Sequence, residues 1–330
     1  MQQRKISQIG LASIFLAISM AWTPASLFGG PSDNARVGIF TPGLSLTAVH
    51  EGMQEGLARL GYVENKNITF IVEDTNGTTN DLPAGVAKLL SAKPDLLFTV
   101  TNNHALMAKQ TISTVPIVFA MVGDPIQAGL IASYPYSKSN LTGVTAGGDA
   151  LSGKRLEVLL EIAPKTKRVL VIVAAKENVS VSSFRSLEEA AHRFAVQLLR
   201  RDVTDKEQIV KTLEETPRGS FDAIFHVPSV LVRTNLELLV RRAKIDRMPL
   251  AVNEESLLRQ GALFSYGPNP RAIGRQAADL VDKILKGTRP GEIMVKGPDT
   301  LFLAINRTTA KEIGLRISPE FFERADQLVE

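Results

Sequence analysis

Cysteine is absent from the 330-residue sequence, which excludes disulfide bonds, thiolate nucleophiles and zinc or iron–sulfur centres held by cysteine. Histidine is scarce, with only four residues, so a histidine-rich metal site is not expected either. Lysine and arginine (38) exceed aspartate and glutamate (34) by four, and no stretch concentrates this small surplus. The sequence therefore predicts no metal, no cofactor and no nucleic-acid partner.

Common catalytic and nucleotide-binding motifs are missing as well. The sequence has no G-x-S-x-G elbow, no Walker A loop, no H-E-x-x-H and no G-x-G-x-x-G. The acid pairs Glu188-Glu189 and Glu254-Glu255 are adjacent in sequence. Because neighbouring helical side chains point apart, neither pair forms a shared catalytic site. We expect no catalytic residues and no enzymatic activity.

What the sequence does contain is the composition of an ordinary globular protein. Apolar residues make up 44% and charged residues 22%, which excludes a disordered tail protein, a collagen-like repeat and a polytopic membrane protein. The length of 330 residues predicts two domains rather than one.

Residues 1–30 have the pattern of a signal peptide. Arg4 and Lys5 form a positive start, and the uncharged apolar run Ile9–Trp22 follows. Thr23-Pro24-Ala25 supplies small residues for cleavage, and cleavage nearer Gly30 is the alternative. The apolar run is short for a membrane span, although a retained single anchor is the alternative. A lipid anchor would need a cysteine and is excluded. We therefore expect export to the periplasm.

From Ala35 onward, short β-rich runs alternate with amphipathic helical patterns. The predicted strands are Arg36–Phe40, Asn67–Glu73, Asp95–Val100, Pro116–Met121, Arg168–Val173, Gln197–Arg201, Ala223–His226, Pro249–Val252 and Leu263–Tyr266. The predicted helices are Ala48–Leu60, Leu82–Ala92, His104–Ile112, Lys154–Ile162, Phe184–Phe194, Lys206–Glu214, Leu231–Lys244 and Arg271–Lys286. This repetition predicts an α/β protein with parallel sheets covered by helices on both faces.

The alternation restarts after Gly153, which predicts two doubly wound α/β lobes in tandem joined by a hinge. We expect an N-terminal lobe over residues 35–147, completed by about 267–297. The C-terminal lobe is expected over residues 148–266, completed by about 298–330. Since no low-complexity linker separates the lobes, the chain is expected to cross between them near Thr142–Asp149, Ser265–Pro270 and Pro298.

Polar residues follow several of the predicted strands, where open parallel sheets bind their ligands. The candidate ligand-binding residues are Thr41, Pro42, Thr101, Asn102, His104, Val122, Gly123, Asp124, Asn178, Ser180, Ser229, Asn253 and Glu254. Helix N-termini beside them suit a ligand carboxylate, and either Glu254 or Asp124 suits a ligand ammonium. Asn, Asp and Ser in these positions also serve as helix caps and turn residues, which is the structural alternative.

Several segments in order resemble a known family. These are GLARLGYVENKNITF from Gly56, VPIVFAMVGDPIQAGLIAS from Val115, NLTGVTAGGDALSGKRLEVLLEIAPKTKRV from Asn140, GALFSYGPN from Gly261 and VDKILKGTRPGEI from Val281. Together they resemble the ABC-transporter substrate-binding proteins of the tryptophan/tyrosine type, from about Arg36 to Glu330. The resemblance implies a periplasmic-binding-protein type I fold, in which two lobes close on a small ligand, and delivery of that ligand to a membrane permease.

The resemblance also implies roles for particular residues. The loop around Thr101–His104 matches a loop that touches the ligand carboxylate, and Asn253-Glu254-Glu255-Ser256 resembles a segment in which Glu254 would meet the ammonium. Val122-Gly123-Asp124-Pro125 matches the loop after the fourth strand. Asn178-Val179-Ser180 differs from the usual Asn-Pro pattern, so the wall contributed by the second lobe is expected to differ from that of aromatic amino-acid binders.

These observations predict an exported solute-binding protein of an ABC importer, monomeric, with an amino acid or related carboxylate as ligand and an inner-membrane permease as partner. A ligand-sensing periplasmic subunit for a signalling receptor is the first alternative. A periplasmic hydrolase or isomerase is the second, against which the missing nucleophile motif argues. A repressor with similar lobes would need a helix-turn-helix where the predicted signal peptide lies.

Overall fold

Two β-sheets, each covered by helices, make up the part of the chain that the computed structural model describes, residues 34–43, 46–77, 81–148 and 150–330. The predicted signal peptide at residues 1–30 lies outside the described residues. The two sheets and their α/β alternation confirm the predicted fold class.

The first sheet has five strands in the order β2-β1-β3-β4-β5, and every neighbouring pair is parallel. Its strands are β1 (Ala35–Thr41), β2 (Ile68–Asp74), β3 (Leu96–Val100), β4 (Ile117–Val122) and β5 (Leu141–Thr145). The helices between them are α1 (Thr47–Arg59), α2 (Leu82–Ser91) and α3 (Asn102–Thr111). We call this sheet with its helices the first lobe.

The second sheet has seven strands in the order β12-β11-β10-β9-β8-β6-β7. Its strands are β6 (Arg168–Ala174), β7 (Gln197–Val203), β8 (Ala223–His226), β9 (Leu250–Val252), β10 (Phe264–Pro268), β11 (Leu301–Asn306) and β12 (Gln327–Val329). The helices are α4 (Ala150–Ile162), α5 (Asn178–Arg193), α6 (Lys206–Glu215), α7 (Val230–Thr234), α8 (Leu236–Asp246), α9 (Pro270–Leu285), α10 (Arg307–Glu312) and α11 (Pro319–Glu323). Except for α9, these elements form the second lobe.

The chain passes between the two sheets three times. It leaves β5 of the first sheet for α4, which packs on α5 and β10, and it leaves β10 for α9, which packs on α1, β4 and β5. It returns after Lys296, which bridges Val144 of the first sheet, to β11 of the second. The Gln276 side chain holds this third crossing, since its Nε2 donates to the Gly297 carbonyl at 2.8 Å and its Oε1 accepts from the Asp299 amide at 3.0 Å.

Both faces of the first sheet are buried, which is why its strands are continuously apolar. Along β1, Ile39 points to the face covered by α1 and α9, whereas Phe40 points to the face covered by α2 and α3. Successive residues of a strand point to opposite faces, so both sets of side chains are needed for the core. The second sheet repeats this arrangement with its own two apolar clusters.

The first lobe depends on close contact between α1 and α9, which is far along the chain. A Cβ built on Gly274 of α9 would lie 1.9 Å from the Val49 carbonyl oxygen, and one built on Gly52 of α1 would lie 2.1 Å from the Arg271 carbonyl oxygen. The helix backbones therefore touch where only glycine fits. Arg271 adds ion pairs with Glu51 and Glu55 at the exposed side of this contact.

The structure differs from the sequence-based elements at a few places. The single helix predicted over Leu231–Lys244 is two helices, α7 and α8, that meet at Asn235, whose φ of −119° and ψ of 26° are not helical. Strands β5, β11 and β12 were not predicted, and β11 runs antiparallel to β10. The second sheet is therefore parallel except for this pair.

Among the described residues, no helix is long and apolar enough to cross a membrane.

Candidate functional site

A cleft of ≈ 480 Å³ lies where the carboxyl end of the first sheet meets the start of α5 in the second lobe. The first lobe contributes the start of α3 and the loop after β4, and the second lobe contributes the first turns of α5. The lining residues are Asn102, Asn103, Leu106, Asp124, Gln127, Ala128, Asn178, Val179 and Ser182. Residues from both lobes thus face one cavity, at the sheet edge where α/β proteins bind ligands.

Three of the predicted site residues, Asn102, Asp124 and Asn178, line this cleft together. Asn102 Oδ1 accepts a hydrogen bond from the Gly123 amide at 3.1 Å, which ties the start of α3 to the loop after β4. Asp124 Oδ1 accepts from the amides of Ile126 and Gln127 at 2.8 and 3.2 Å. Asp124 therefore shapes its own turn as well as placing a carboxylate at the cleft.

His104 lies beneath the first-lobe wall of the cleft and is only 2% exposed. Its Nδ1 and Nε2 are each 3.0 Å from a threonine hydroxyl, those of Thr101 and Thr75. Its ring packs edge-on against Phe40 with the centroids 4.5 Å apart. Burial lowers the pKa of this imidazole to about 4, although the negative charge of Asp74 acts to raise it. Neutral His104 therefore joins the loops that follow β2 and β3.

Three other predicted residues of the first lobe lie in the sheet or its loops. Thr41 is fully buried at the end of β1, and its Oγ1 accepts from the Gly43 amide at 3.2 Å. The Pro42 carbonyl accepts from the Gly77 amide at 2.9 Å. Val122 packs in the apolar cluster under α2 and α3. The structure does not place these three side chains along the cleft lining.

Two serines of the second lobe accept hydrogen bonds from nearby backbone amides. Ser180 is fully buried and its Oγ accepts from the Ala174 amide at 3.0 Å, which fixes the turn between β6 and α5. Ser229 Oγ accepts from the Val232 amide at 3.1 Å at the start of α7. Glu177, which sequence reasoning did not single out, accepts from the amides of Val230 and Leu231 at 2.8 Å and so joins α7 to the β6–α5 turn.

The remaining predicted residues, Asn253 and Glu254, follow β9. Glu254 Oε2 accepts from Arg233 Nε at 3.1 Å, and both side chains are one-third exposed. Asn253 Oδ1 is buried and has no hydrogen-bond partner within the described residues. Glu254 is thus already engaged with a cation, whereas Asn253 is not satisfied by the protein.

Arg155 of α4 is the most unusual charged residue of the second lobe, and sequence reasoning missed it. It is 2% exposed, its Nε donates to the Tyr266 carbonyl at 3.0 Å, and its Cζ lies 5.6 Å from the centroid of the Phe225 ring. Burial lowers its pKa to about 9, which Glu254 partly opposes. In the sequence, Arg155 is an ordinary cation of an amphipathic helix, so no local pattern distinguishes it.

Beside Arg155 lies His226, the last residue of β8, which is 1% exposed. Burial, followed by the positive charges of Arg155 and Arg233, lowers its pKa to about 3. The nearby Asn253 side chain and the backbone at Ser229 raise the pKa of His226 and so partly offset this lowering. Neither ring nitrogen makes a hydrogen bond of good geometry to a described residue. The imidazole is therefore neutral at neutral pH.

Across the described ranges, no group of three or more histidine, cysteine or acidic side chains is arranged to hold a metal ion. The cleft lining consists of four amide side chains, the Asp124 carboxylate, the Ser182 hydroxyl and three apolar side chains, which suit a small polar ligand.

The sequence profile of the ABC transporter substrate-binding proteins matches residues 36–329, nearly the whole chain. The chain belongs to the ABC transporter substrate-binding protein family. Its two lobes with a cleft between them are the structure expected of a substrate-binding protein. The resemblance found in the sequence is thereby confirmed.

Individual relatives agree with this assignment. A tyrosine-binding protein of Clostridioides difficile is 25% identical over 276 residues, which cover 82% of this chain and 78% of the relative. A conserved domain protein from Vibrio cholerae has a TM-score of 0.77 at 25% identity over 89% of this chain and 99% of that one. The ABC domain of a Streptococcus pneumoniae protein in complex with L-Trp has a TM-score of 0.78 at 20% identity, with 90% and 100% of the chains covered. The substrate-binding protein described here therefore has a type I-like periplasmic-binding fold.

Proposed function

We propose that this substrate-binding protein is exported and closes its two lobes over a small amino acid or related carboxylate, which it delivers to an ABC permease in the inner membrane. The observation that carries the proposal is the cleft of ≈ 480 Å³ lined by both lobes. Such a volume lies within the range of about 300–1,000 Å³ that small-molecule sites occupy.

The chemistry of the cleft supports an amino-acid ligand. Amide and carboxylate groups from Asn102, Asp124 and Asn178 offer hydrogen-bond donors and acceptors, and Leu106, Ala128 and Val179 offer an apolar surface for a ligand side chain. Val179 is 38% exposed in the structure and would lose this exposure on a bound apolar group. A tyrosine-binding relative and a structural neighbour holding L-Trp support an aromatic amino acid as the first ligand to test.

The three segments that connect the lobes would act as the hinge for closure. A ligand that touches both lobes stabilises only the closed state, so binding shifts the population toward it. The closed surface would then be recognised by the permease. We further propose that the first and second lobes move as units about residues 146–150, 268–270 and 297–300. The protein acts as a monomer in this proposal, and residues 1–30 direct it to the periplasm.

A thermal-shift screen of residues 31–330 tests this proposal. The protein is stripped of bound ligand by unfolding and refolding, then mixed with amino acids, small carboxylates, nucleosides and sugars. At a thousandfold excess over Kd, a ligand adds about 4 kcal/mol to the free energy of unfolding, which raises Tm by roughly 8–16 °C at this size. We expect such a shift with an amino acid or a related carboxylate.

Direct binding provides a second readout. Trp22 is the only tryptophan of the sequence and is outside residues 31–330, so the fluorescence of bound L-tryptophan, excited selectively over the four tyrosines, can be followed without a tryptophan background from the protein. Stabilisation by a sugar or nucleoside alone would contradict the proposed ligand class while leaving a solute-binding protein. A folded, stripped protein that no member of the panel stabilises would contradict the proposed ligand altogether.

A further inference from the structure

A cluster of buried polar side chains lies in the second lobe at the same sheet edge as the cleft. Strands β6, β8, β9 and β10 are parallel to one another, so their carboxyl ends share one edge. His226 ends β8, Asn253 immediately follows β9, and the cleft residue Asn178 follows β6. Arg155 reaches the same edge from α4, where it contacts the end of β10.

The members of this cluster are close to one another. Arg155 Nε is 3.0 Å from the Tyr266 carbonyl, and a Cβ built on the next residue, Gly267, would lie 3.9 Å from Arg155 Nη2 and 2.8 Å from the Asn253 carbonyl. The charge of Arg155 acts on His226, and the Asn253 side chain lies beside the same ring. Glycine at position 267 therefore allows the Asn253 backbone to approach β10 closely beside Arg155.

The protein leaves this cluster incompletely satisfied. Arg155 Nη1, both ring nitrogens of His226 and Asn253 Oδ1 are buried, and none has a hydrogen-bond partner of good geometry in the described part of the chain. No ion pair of Arg155 occurs there either, and the nearby Glu254 is paired with Arg233. Burying an unpaired cation and several unpaired polar atoms costs free energy, so such a group in a folded protein calls for a partner.

We propose that Arg155, His226 and Asn253 form the pocket that binds the charged end of the ligand. Arg155 Nη1 and one N–H of His226 donate to the ligand carboxylate, and Asn253 Oδ1 accepts from its ammonium. The pocket deepens the proposed function and rests on it, because it assigns the ligand class to particular atoms. Arg155 and His226 thus replace the Thr101–His104 loop as the partners of the ligand carboxylate. Asn253 replaces Glu254 as the partner of the ligand ammonium.

This assignment fits the other candidates' contacts. Both His104 nitrogens already face threonine hydroxyls, and Glu254 already accepts from Arg233. Arg155 lies near the start of α4 and Tyr266 near the end of β10, next to two of the segments that connect the lobes. Movement of the lobes about these segments would therefore open the pocket to the ligand. The ligand side chain would then extend toward Val179 and Leu106 in the cleft.

The test compares Arg155→Met with wild type using L-tyrosine and L-tryptophan, and their decarboxylated analogues tyramine and tryptamine, as probes. If neither amino acid binds, the amino acid that stabilises the wild type most in the thermal screen replaces them, with its amide as analogue. We expect Arg155→Met to weaken amino-acid binding by about 100-fold or more, since one partner of a buried charge pair is lost. Wild type should discriminate against the analogue by a similar factor, and Arg155→Met should discriminate little.

Arg168→Met is the matched control. Arg168 pairs with Asp222 at 2.7 Å at the start of β6, the opposite edge of the same sheet, so this variant removes an equal charge far from the pocket. Its affinity should equal that of wild type. The stability of the ligand-stripped variants separates binding from a structural role, because replacing an unpaired buried cation by an apolar side chain is often neutral or stabilising. We expect the Tm of stripped Arg155→Met to be at or above that of wild type.

Each outcome decides the proposal. Unchanged amino-acid affinity in Arg155→Met overturns the pocket but leaves the proposed function intact. A large loss of Tm in the stripped variant with unchanged affinity shows that Arg155 only anchors β10. Equal wild-type affinity for an amino acid and its decarboxylated analogue also overturns the pocket. A wild-type protein that binds no carboxylate at all overturns both the pocket and the proposed ligand.

Discussion

Replacing Gly274 by alanine is expected to reduce the free energy of unfolding by about 3 kcal/mol, the upper end of the usual range for overpacked sites. The new Cβ would lie 1.9 Å from the Val49 carbonyl oxygen and 2.7 Å from the Met53 amide nitrogen, both of them backbone atoms that cannot rotate away. The helices α1 and α9 must therefore separate. Since α9 follows one of the crossings, the change should also disturb the connection between the lobes.

Urea denaturation followed by circular dichroism measures this effect, and a thermal scan should show a Tm lower by roughly 6–12 °C. Gly297→Ala is the control, because a Cβ at Gly297 would meet nothing within 4 Å. A stability of Gly274→Ala equal to that of the control would contradict the close backbone contact between the helices.

Acidification from pH 7 to pH 5 is expected to destabilise the protein by about 2 kcal/mol for each of His104 and His226. Burial lowers the pKa of His104 to about 4 and, with Arg155 and Arg233, that of His226 to about 3. In the unfolded chain both imidazoles titrate near about 6.5. The unfolded state therefore binds more protons below that pH, and the stability present above it is lost as the pH falls toward the folded pKa values.

Denaturant midpoints measured at pH 7 and pH 5 test this prediction directly. Both pH values lie above the range in which most carboxylates titrate, so the difference reports mainly on the histidines. His104→Asn should lose stability at pH 7 but show a pH dependence smaller by about 2 kcal/mol, since one of the two imidazoles is gone. His192→Asn is the control, because His192 is exposed on α5. A pH dependence of His104→Asn equal to that of wild type would contradict the neutral, buried state of His104.

Periodicity was sufficient to predict most elements of the fold. The predicted helix Ala48–Leu60 corresponds to α1 (Thr47–Arg59), because its apolar residues recur every three to four positions and pack on one face. The break at Asn235 was missed, since α7 and α8 continue one apolar pattern across it. Strand β5 was missed because Leu141–Thr145 is short and contains Gly143, whose Cβ would collide with Phe119.

The site was less accessible to sequence reasoning than the fold. Residues that follow strands could be identified as candidates, and the structure brings Asn102, Asp124 and Asn178 to one cleft. Their sequence pattern does not distinguish a residue that faces the cleft from one that holds a turn, as Ser180 does, or caps a helix, as Ser229 does. Arg155 carries no local signal, because its burial arises from packing between α4 and a strand 111 residues away.

The distance between the lobes is the most direct test of ligand-induced closure. Because the protein has no cysteine, spin labels can be attached specifically through Gln110→Cys and Glu188→Cys, two exposed positions on α3 and α5 on either side of the cleft. Double electron–electron resonance on the stripped protein should give a broad or long distance distribution. Addition of the amino acid identified by the thermal screen should shift it to a shorter, narrower one, whereas an unchanged distribution at saturating ligand would contradict the account.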